Sequence, residues 1–183
     1  MGISLKRATW PAVVFLCAVS LAATVPEAAA DDYYLRGKLG TYAPQADDVD
    51  ELDPGFGVEF TLGKSILPLL SAELSAGYYE ASEGPVELTV KPVTLALRLR
   101  APVPVIKPYA VAGGGAYFSK LEIEGAGSES DTSFGYFIGA GVDFKVLVLL
   151  LNVEAKYFWS QPTFAGKTDI DGYVLSAGIG LQF

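Results

Sequence analysis

Histidine is absent from this 183-residue chain, and cysteine and methionine occur once each. Without histidine there is no side chain whose ordinary pKa suits proton transfer near neutrality, so catalysis that rests on an imidazole base is excluded. A nucleophilic serine would need such a base within hydrogen-bond reach, and no pair of carboxylates stands out as a substitute. Basic residues are also scarce: 13 Lys and Arg stand against 21 Asp and Glu, for a formal charge of −8. No basic stripe exists to displace counterions from phosphates, which excludes nucleic-acid binding. Hydrophobic residues reach 51%, yet the mixture does not suit a helical membrane protein, whose spans need runs of about 20 apolar residues. Aromatics are not lacking, with 10 Tyr and 10 Phe, and a disordered chain would be poor in them.

The first thirty residues read as a secretory leader. Lys6 and Arg7 form a positive start, Trp10 to Ala23 an apolar stretch too short to span a bilayer comfortably, and Ala28-Ala29-Ala30 the small residues that precede cleavage. A membrane anchor is the alternative. Cys17 follows Val14-Phe15-Leu16 rather than the small residues of a lipoprotein box, so lipidation is not expected. Cleavage between Ala30 and Asp31, with Ala28 and Ala30 as the recognition positions, divides the chain into a leader (1–30) and one domain (31–183). That domain has no cysteine and hence no disulfide or thiol chemistry. Removing Lys6, Arg7 and Glu27 leaves 11 basic and 20 acidic residues, a net charge of −9.

Beyond Asp32 the dominant pattern has period two, the repeat of a strand. Phe56, Val58, Phe60 and Leu62 alternate with Gly57, Glu59 and Thr61; Leu70, Ala72, Leu74, Ala76 and Tyr78 alternate with Ser71, Glu73, Ser75 and Gly77. Similar segments occupy Val93–Arg100, Phe134–Phe144, Leu149–Tyr157 and Tyr173–Phe183. Tyr34–Tyr42 is weaker, and Tyr109–Phe118 is so rich in Gly and Ala that its facing is ambiguous. Eight strands result. The second, fourth and sixth connections are short; the first, third, fifth and seventh (Ala43–Pro54, Ser82–Glu87, Ser119–Ser133, Ser160–Ile170) are longer and polar. That alternation marks an all-β, eight-stranded antiparallel up-and-down transmembrane barrel with periplasmic turns and external loops.

A soluble barrel shows the same period with its faces exchanged. Residue volume favours the membrane. The polar set is mostly Gly, Ala and Ser with isolated charges, which suits the narrow interior of eight strands, whereas Leu, Val, Ile, Phe and Tyr would crowd it. Closure follows, because backbone groups in hydrocarbon have no water to pair with. Tyr34, Tyr42, Tyr78, Tyr109, Tyr117, Tyr157 and Tyr173 lie near strand ends, where they would form aromatic girdles.

The ending Gly172-Tyr173-Val174-Leu175-Ser176-Ala177-Gly178-Ile179-Gly180-Leu181-Gln182-Phe183 resembles the C-terminal signal of outer-membrane proteins. Pro108–Gly115 and Phe134–Val142 are similar to the glycine-spaced strands of the OmpA/OmpX/OmpW-like barrels. The resemblance covers the whole mature chain. It implies an integral protein of the bacterial outer membrane, in contact with lipid and lipopolysaccharide, whose last strand is recognised by the barrel-assembly machinery through Tyr173 and Phe183. It also implies no cofactor, and a monomer is expected. Enzymes among barrels of this size depend on a histidine, so this chain is not expected to be one.

The strand assignments turn Arg36, Lys38, Arg98, Arg100 and Lys156 inward together with Glu59, Glu73, Asp143 and Glu154. Such charges must nearly neutralise one another unless water reaches them. They form either a plug of salt bridges or a narrow gated path. The first loop carries Asp47, Asp48, Asp50, Glu51 and Asp53 without the spacing of a calcium loop, so no metal site is expected. These acids, with Glu122, Glu124, Glu129 and Asp131, could share divalent ions with lipopolysaccharide phosphates. The expectation is therefore a structural or surface-interaction barrel of the envelope, with a narrow porin-like channel or OmpW-like transporter as the alternative.

Overall fold

The computed structural model describes residues 33–45, 53–103, 106–123, 127–146, 149–162 and 170–183. The leader, its Ala28 and Ala30, and most of the first acidic loop lie outside these residues. Eight strands follow in order: β1 (Tyr33–Pro44), β2 (Gly55–Leu67), β3 (Leu70–Glu83), β4 (Val86–Arg100), β5 (Ile106–Ile123), β6 (Gly127–Val146), β7 (Leu149–Ser160) and β8 (Gly172–Gln182). Each pairs antiparallel with the next, and β8 returns to β1, closing the barrel. The seam runs from Tyr34 opposite Gln182 to Pro44 opposite Gly172. Just below it, the Tyr33 and Phe183 amides bond each other's carbonyls at 3.0 and 2.9 Å. Among the described residues each of the eight strands pairs on both sides, as hydrocarbon requires.

The alternation produces two unlike surfaces. Leu39, Leu74, Leu95, Leu97, Ile138, Val153 and Leu175 all point outward and are exposed, Leu95 by 67%. Arg36, Glu73, Arg98 and Glu154 point inward and are buried. A chain with its aliphatic residues bare and its ions enclosed is inverted relative to a water-soluble fold, and only an apolar solvent stabilises that arrangement.

The structure departs from the sequence expectations at two connections and in the tyrosines, and it settles the facing of β5. Ser82–Glu87 and Ser119–Ser133 were expected as loops, but β3 and β4 meet at a turn on Gly84 (φ 54°) and Pro85, and β5 and β6 continue to Ile123 and from Gly127 (φ 119°). Above the membrane the outer face of a strand needs no apolar residue, so alternation fades although pairing persists. The facing of β5 is settled: Tyr109, Val111 and Tyr117 are buried inside, while Ala110 and Ala112 lie outside. Finally, of the seven tyrosines expected in girdles, Tyr34, Tyr42, Tyr109 and Tyr117 fill the interior. Tyr157 and Tyr173 do lie outside, edge to face at 4.6 Å, and Trp159 joins them at 4.6 Å from Tyr157.

Glycines make room for the inward rings. Tyr34 lies beside Gly63, its partner in the register, and a Cβ at that position would overlap the ring. Tyr109 lies likewise against Gly141. The small residues of the interior are thus sockets for large side chains on the next strand.

Candidate functional site

The lower and middle lumen holds eight charges, four of each sign. Four strands supply the acids, Glu59 from β2, Glu73 from β3, Asp143 from β6 and Glu154 from β7. The bases are Arg36 and Lys38 from β1, Arg98 from β4 and Lys156 from β7. All eight are buried. They are placed inward by the strand period, since each shares parity with buried neighbours on its own strand.

The ion pairs form two alternating quartets. In the first, Arg36 and Arg98 both bridge Glu73 and Asp143: Arg36 at 3.6 and 3.3 Å, Arg98 at 2.6 and 3.1 Å. In the second, Lys38 reaches Glu59 and Glu154, each at 2.7 Å, and Lys156 contacts the same two carboxylates. Arg98 Nη2 joins the quartets through Glu154 at 3.3 Å. Every carboxylate also accepts at least one uncharged donor, and Glu59 a second from Thr61 at 3.3 Å. Tyr34 donates to Glu73 at 2.6 Å, Asn152 to Asp143 at 2.8 Å, Tyr109 to Glu154 at 2.7 Å and Tyr79 to Glu59 at 2.7 Å. Taking ions out of water costs several kcal/mol each unless geometry and further hydrogen bonds compensate; the four acids meet both conditions, whereas Arg36 Nε is buried without a hydrogen-bond partner.

Arg100, grouped with these residues in the sequence reading, stands apart. It is half-buried near the turn end and its guanidinium donates to Ser65 and Ser71. It ends β4, four residues past Ala96, the register partner of Glu73, and the network closes at four against four without it.

The upper lumen is apolar, which sequence reasoning missed. Tyr42, Tyr79, Tyr117 and Phe158 form a layer with ring centres 5.3–6.2 Å apart. Leu88, Val90, Ile170 and Val174 are buried above or beside it. The available signal is the inward parity of Leu88 and Val90, which precede the Val93–Arg100 alternation, and of Phe158, one residue past the Leu149–Tyr157 alternation. Between the rings and the ions lies a cavity of about 10 Å³ lined by Glu59, Tyr79, Tyr117, Lys156 and Phe158 among others. That is room for about one water molecule.

Outside the lumen, charge is segregated by end. At the turn end stand Lys64, Arg100, Lys107 and Lys145; at the loop end Glu80, Glu83, Glu87, Glu122, Glu129, Asp131 and Asp171 stand, among the described residues, with Lys91 and Lys120 as the only bases. Asp53 is exposed, whereas Asp47, Asp48, Asp50, Glu51 and Glu124 lie outside the described residues. No group of acids that could hold a metal ion occurs among the described residues. Tyr173 is 54% exposed on the outer face, and Phe183 stacks on Tyr33 at 6.4 Å.

The sequence matches the outer membrane protein beta-barrel domain over residues 15–183. No curated protein matches it. Among solved structures it is similar to Neisserial surface protein A, with 15% identity, a TM-score of 0.71, and 82% of this chain and 97% of that one covered. The outer membrane protein OprG of Pseudomonas aeruginosa gives 17% identity and a TM-score of 0.59, covering 84% and 96%. The N-terminal barrel domain of OprF from the same organism gives 13% and 0.58, covering 84% and 98%. At such identities the likeness is one of fold. Together with the bare aliphatic belt, the family match establishes that the chain belongs to the outer membrane protein β-barrel domain family and is integral to the outer membrane.

Proposed function

We propose that the protein is a non-conducting structural barrel of the envelope that presents its external end to partners. The observation that carries this reading is the dense pairing of the lumen: four acids and four bases, each acid bonded to at least two cations and at least one neutral donor, beneath a layer of four aromatic rings. A solute would have to break charge-assisted bonds and then pass an apolar constriction. Exposed loop-end carboxylates support contact with lipopolysaccharide through shared divalent ions, and the terminal strand supports recognition of Tyr173 and Phe183 by the assembly machinery. The reading is non-enzymatic and rests there on the lack of histidine. Planar-bilayer recording of the purified, refolded protein tests it. A silent bilayer is expected; steady unitary openings would overturn it in favour of the narrow-channel alternative.

A further inference from the structure

We propose that a trough on the outer wall between β4 and β8 seats one straight, saturated acyl chain of an outer-leaflet lipid. The trough holds about 560 Å³. Its floor is a single register row, Ala110, Ala140 and Ala155, side by side on β5, β6 and β7. Leu99, opposite Ala110, closes the lower end. Ile138, Tyr157 and Tyr173 stand in the next outward row up and form one bank. Val142 and Val153 stand in the outward row below. The alanines by themselves select nothing. The bulky side chains around them turn a patch of small residues into a channel with sides and an end.

The length and slope of the trough decide what fits. From β4 to β8 it crosses four inter-strand spacings of about 4.8 Å, about 19 Å in all. With strands tilted by about 40°, a row across them climbs about 12 Å over that length, half of the roughly 25 Å apolar band. Tyr173 stands at the loop end of β8, so the upper mouth opens toward the external interface. There Tyr157, Tyr173 and Trp159 form the aromatic cluster. The lower end falls near the midplane, so the trough has the depth of one leaflet, the outer one. β4 to β8 pair along it without a register shift. The floor is therefore straight and suits a chain without a cis double bond. Surrounding lipid is as apolar as the trough, so selection comes from contact packing rather than escape from water. The site rests on membrane insertion alone, and it holds or fails apart from the silent lumen and the loop contacts.

The test refolds the barrel into vesicles of two phosphatidylethanolamines in equal amounts, one saturated and one with a cis double bond in each chain. The protein is extracted in mild detergent and weighed intact by native mass spectrometry, which counts the lipids it retains. One saturated lipid per barrel is expected, favoured about fivefold over its unsaturated counterpart by packing. The double variant Ala140→Leu/Ala155→Leu fills the floor with side chains that lipid accepts, and should lower retention about tenfold with its urea midpoint unchanged. Ala76→Leu, the same change on the exposed outer face of β3, should retain lipid like the parent. Equal retention in all three proteins would reveal ordinary boundary lipid and overturn the proposal. Retention without preference for the saturated chain, or no retention, would also overturn it. So would a dimer that disappears in the filled variant, because the trough would then belong to a second copy.

Discussion

The guanidinium carbon of Arg98 sits 3.7 Å from the centre of the Tyr109 ring, and both side chains engage Glu154, Arg98 at 3.3 Å and Tyr109 at 2.7 Å. The cation is thus held between an aromatic face and three carboxylates. Arg98→Met, close in volume, leaves Glu73, Asp143 and Glu154 one positive charge short in a buried site. The expected loss is about 3–5 kcal/mol, the usual cost of breaking a buried pair, read by urea unfolding in lipid vesicles. Arg98→Lys keeps the charge but not the fork and should lose less. A Met variant as stable as the parent would mean that the network contributes nothing to holding the barrel.

Gly63 provides the socket for Tyr34. Gly63→Ala forces ring and methyl apart, at a cost of about 1–3 kcal/mol for an overpacked site. Tyr34→Ala alone removes the donor to Glu73 and opens a void. In the double variant the methyl enters that void, so the combined loss should fall well below the sum of the single losses. Additivity in a double-mutant cycle would show that the two residues do not share space.

Leu95 tests the lipid-facing belt. An arginine at this outward position should cost about 2–4 kcal/mol if it lies near the midplane of the hydrocarbon, whereas one at Thr132, above the belt, should cost about 0–1 kcal/mol. Unfolding titrations of Leu95→Arg and Thr132→Arg in vesicles measure the difference. Equal, negligible costs would contradict a membrane-buried outer surface at Leu95.

Phe183 has two roles that one variant separates. As a seam residue it stacks on Tyr33; as the terminal aromatic it is the proposed assembly signal. Phe183→Ala should slow insertion into vesicles that contain the assembly machinery several-fold while leaving spontaneous folding in detergent near the parent rate. Equal slowing in both media would assign the residue to the seam alone.

The barrel was legible because each strand records its surroundings twice, once on each face. Lipid demands Leu, Val or Ile at alternate positions, and a narrow interior demands Gly, Ser or a paired ion; Phe56–Leu62 and Leu70–Tyr78 show both demands together. The same logic places Arg36, Lys38, Glu59, Glu73, Arg98, Asp143, Glu154 and Lys156 on the inner face from the sequence, and all eight are buried there. It failed where one demand lapses. In Gly127–Ser133 the outer face meets water, so a strand looks like a loop. Tyrosine satisfies girdle and lumen alike, and only the position of a socket glycine on the neighbouring strand decides between them for Tyr34 and Tyr109. Pairing was beyond reach, since Lys38 meets Glu154 across a separation of 116 residues.

That long separation bears on how the molecule comes together. The β1–β2 hairpin brings Arg36, Lys38 and Glu59, an excess of one positive charge; β3–β4 brings Glu73 and Arg98, which cancel; β6–β7 brings Asp143, Glu154 and Lys156, an excess of one negative charge. A half-finished sheet therefore carries opposite signs toward its two flanks, and drawing them together is what quenches both. Wrapping the ribbon into a tube and discharging its interior are one event, so a permanently opened ribbon would expose unbalanced ions to acyl chains.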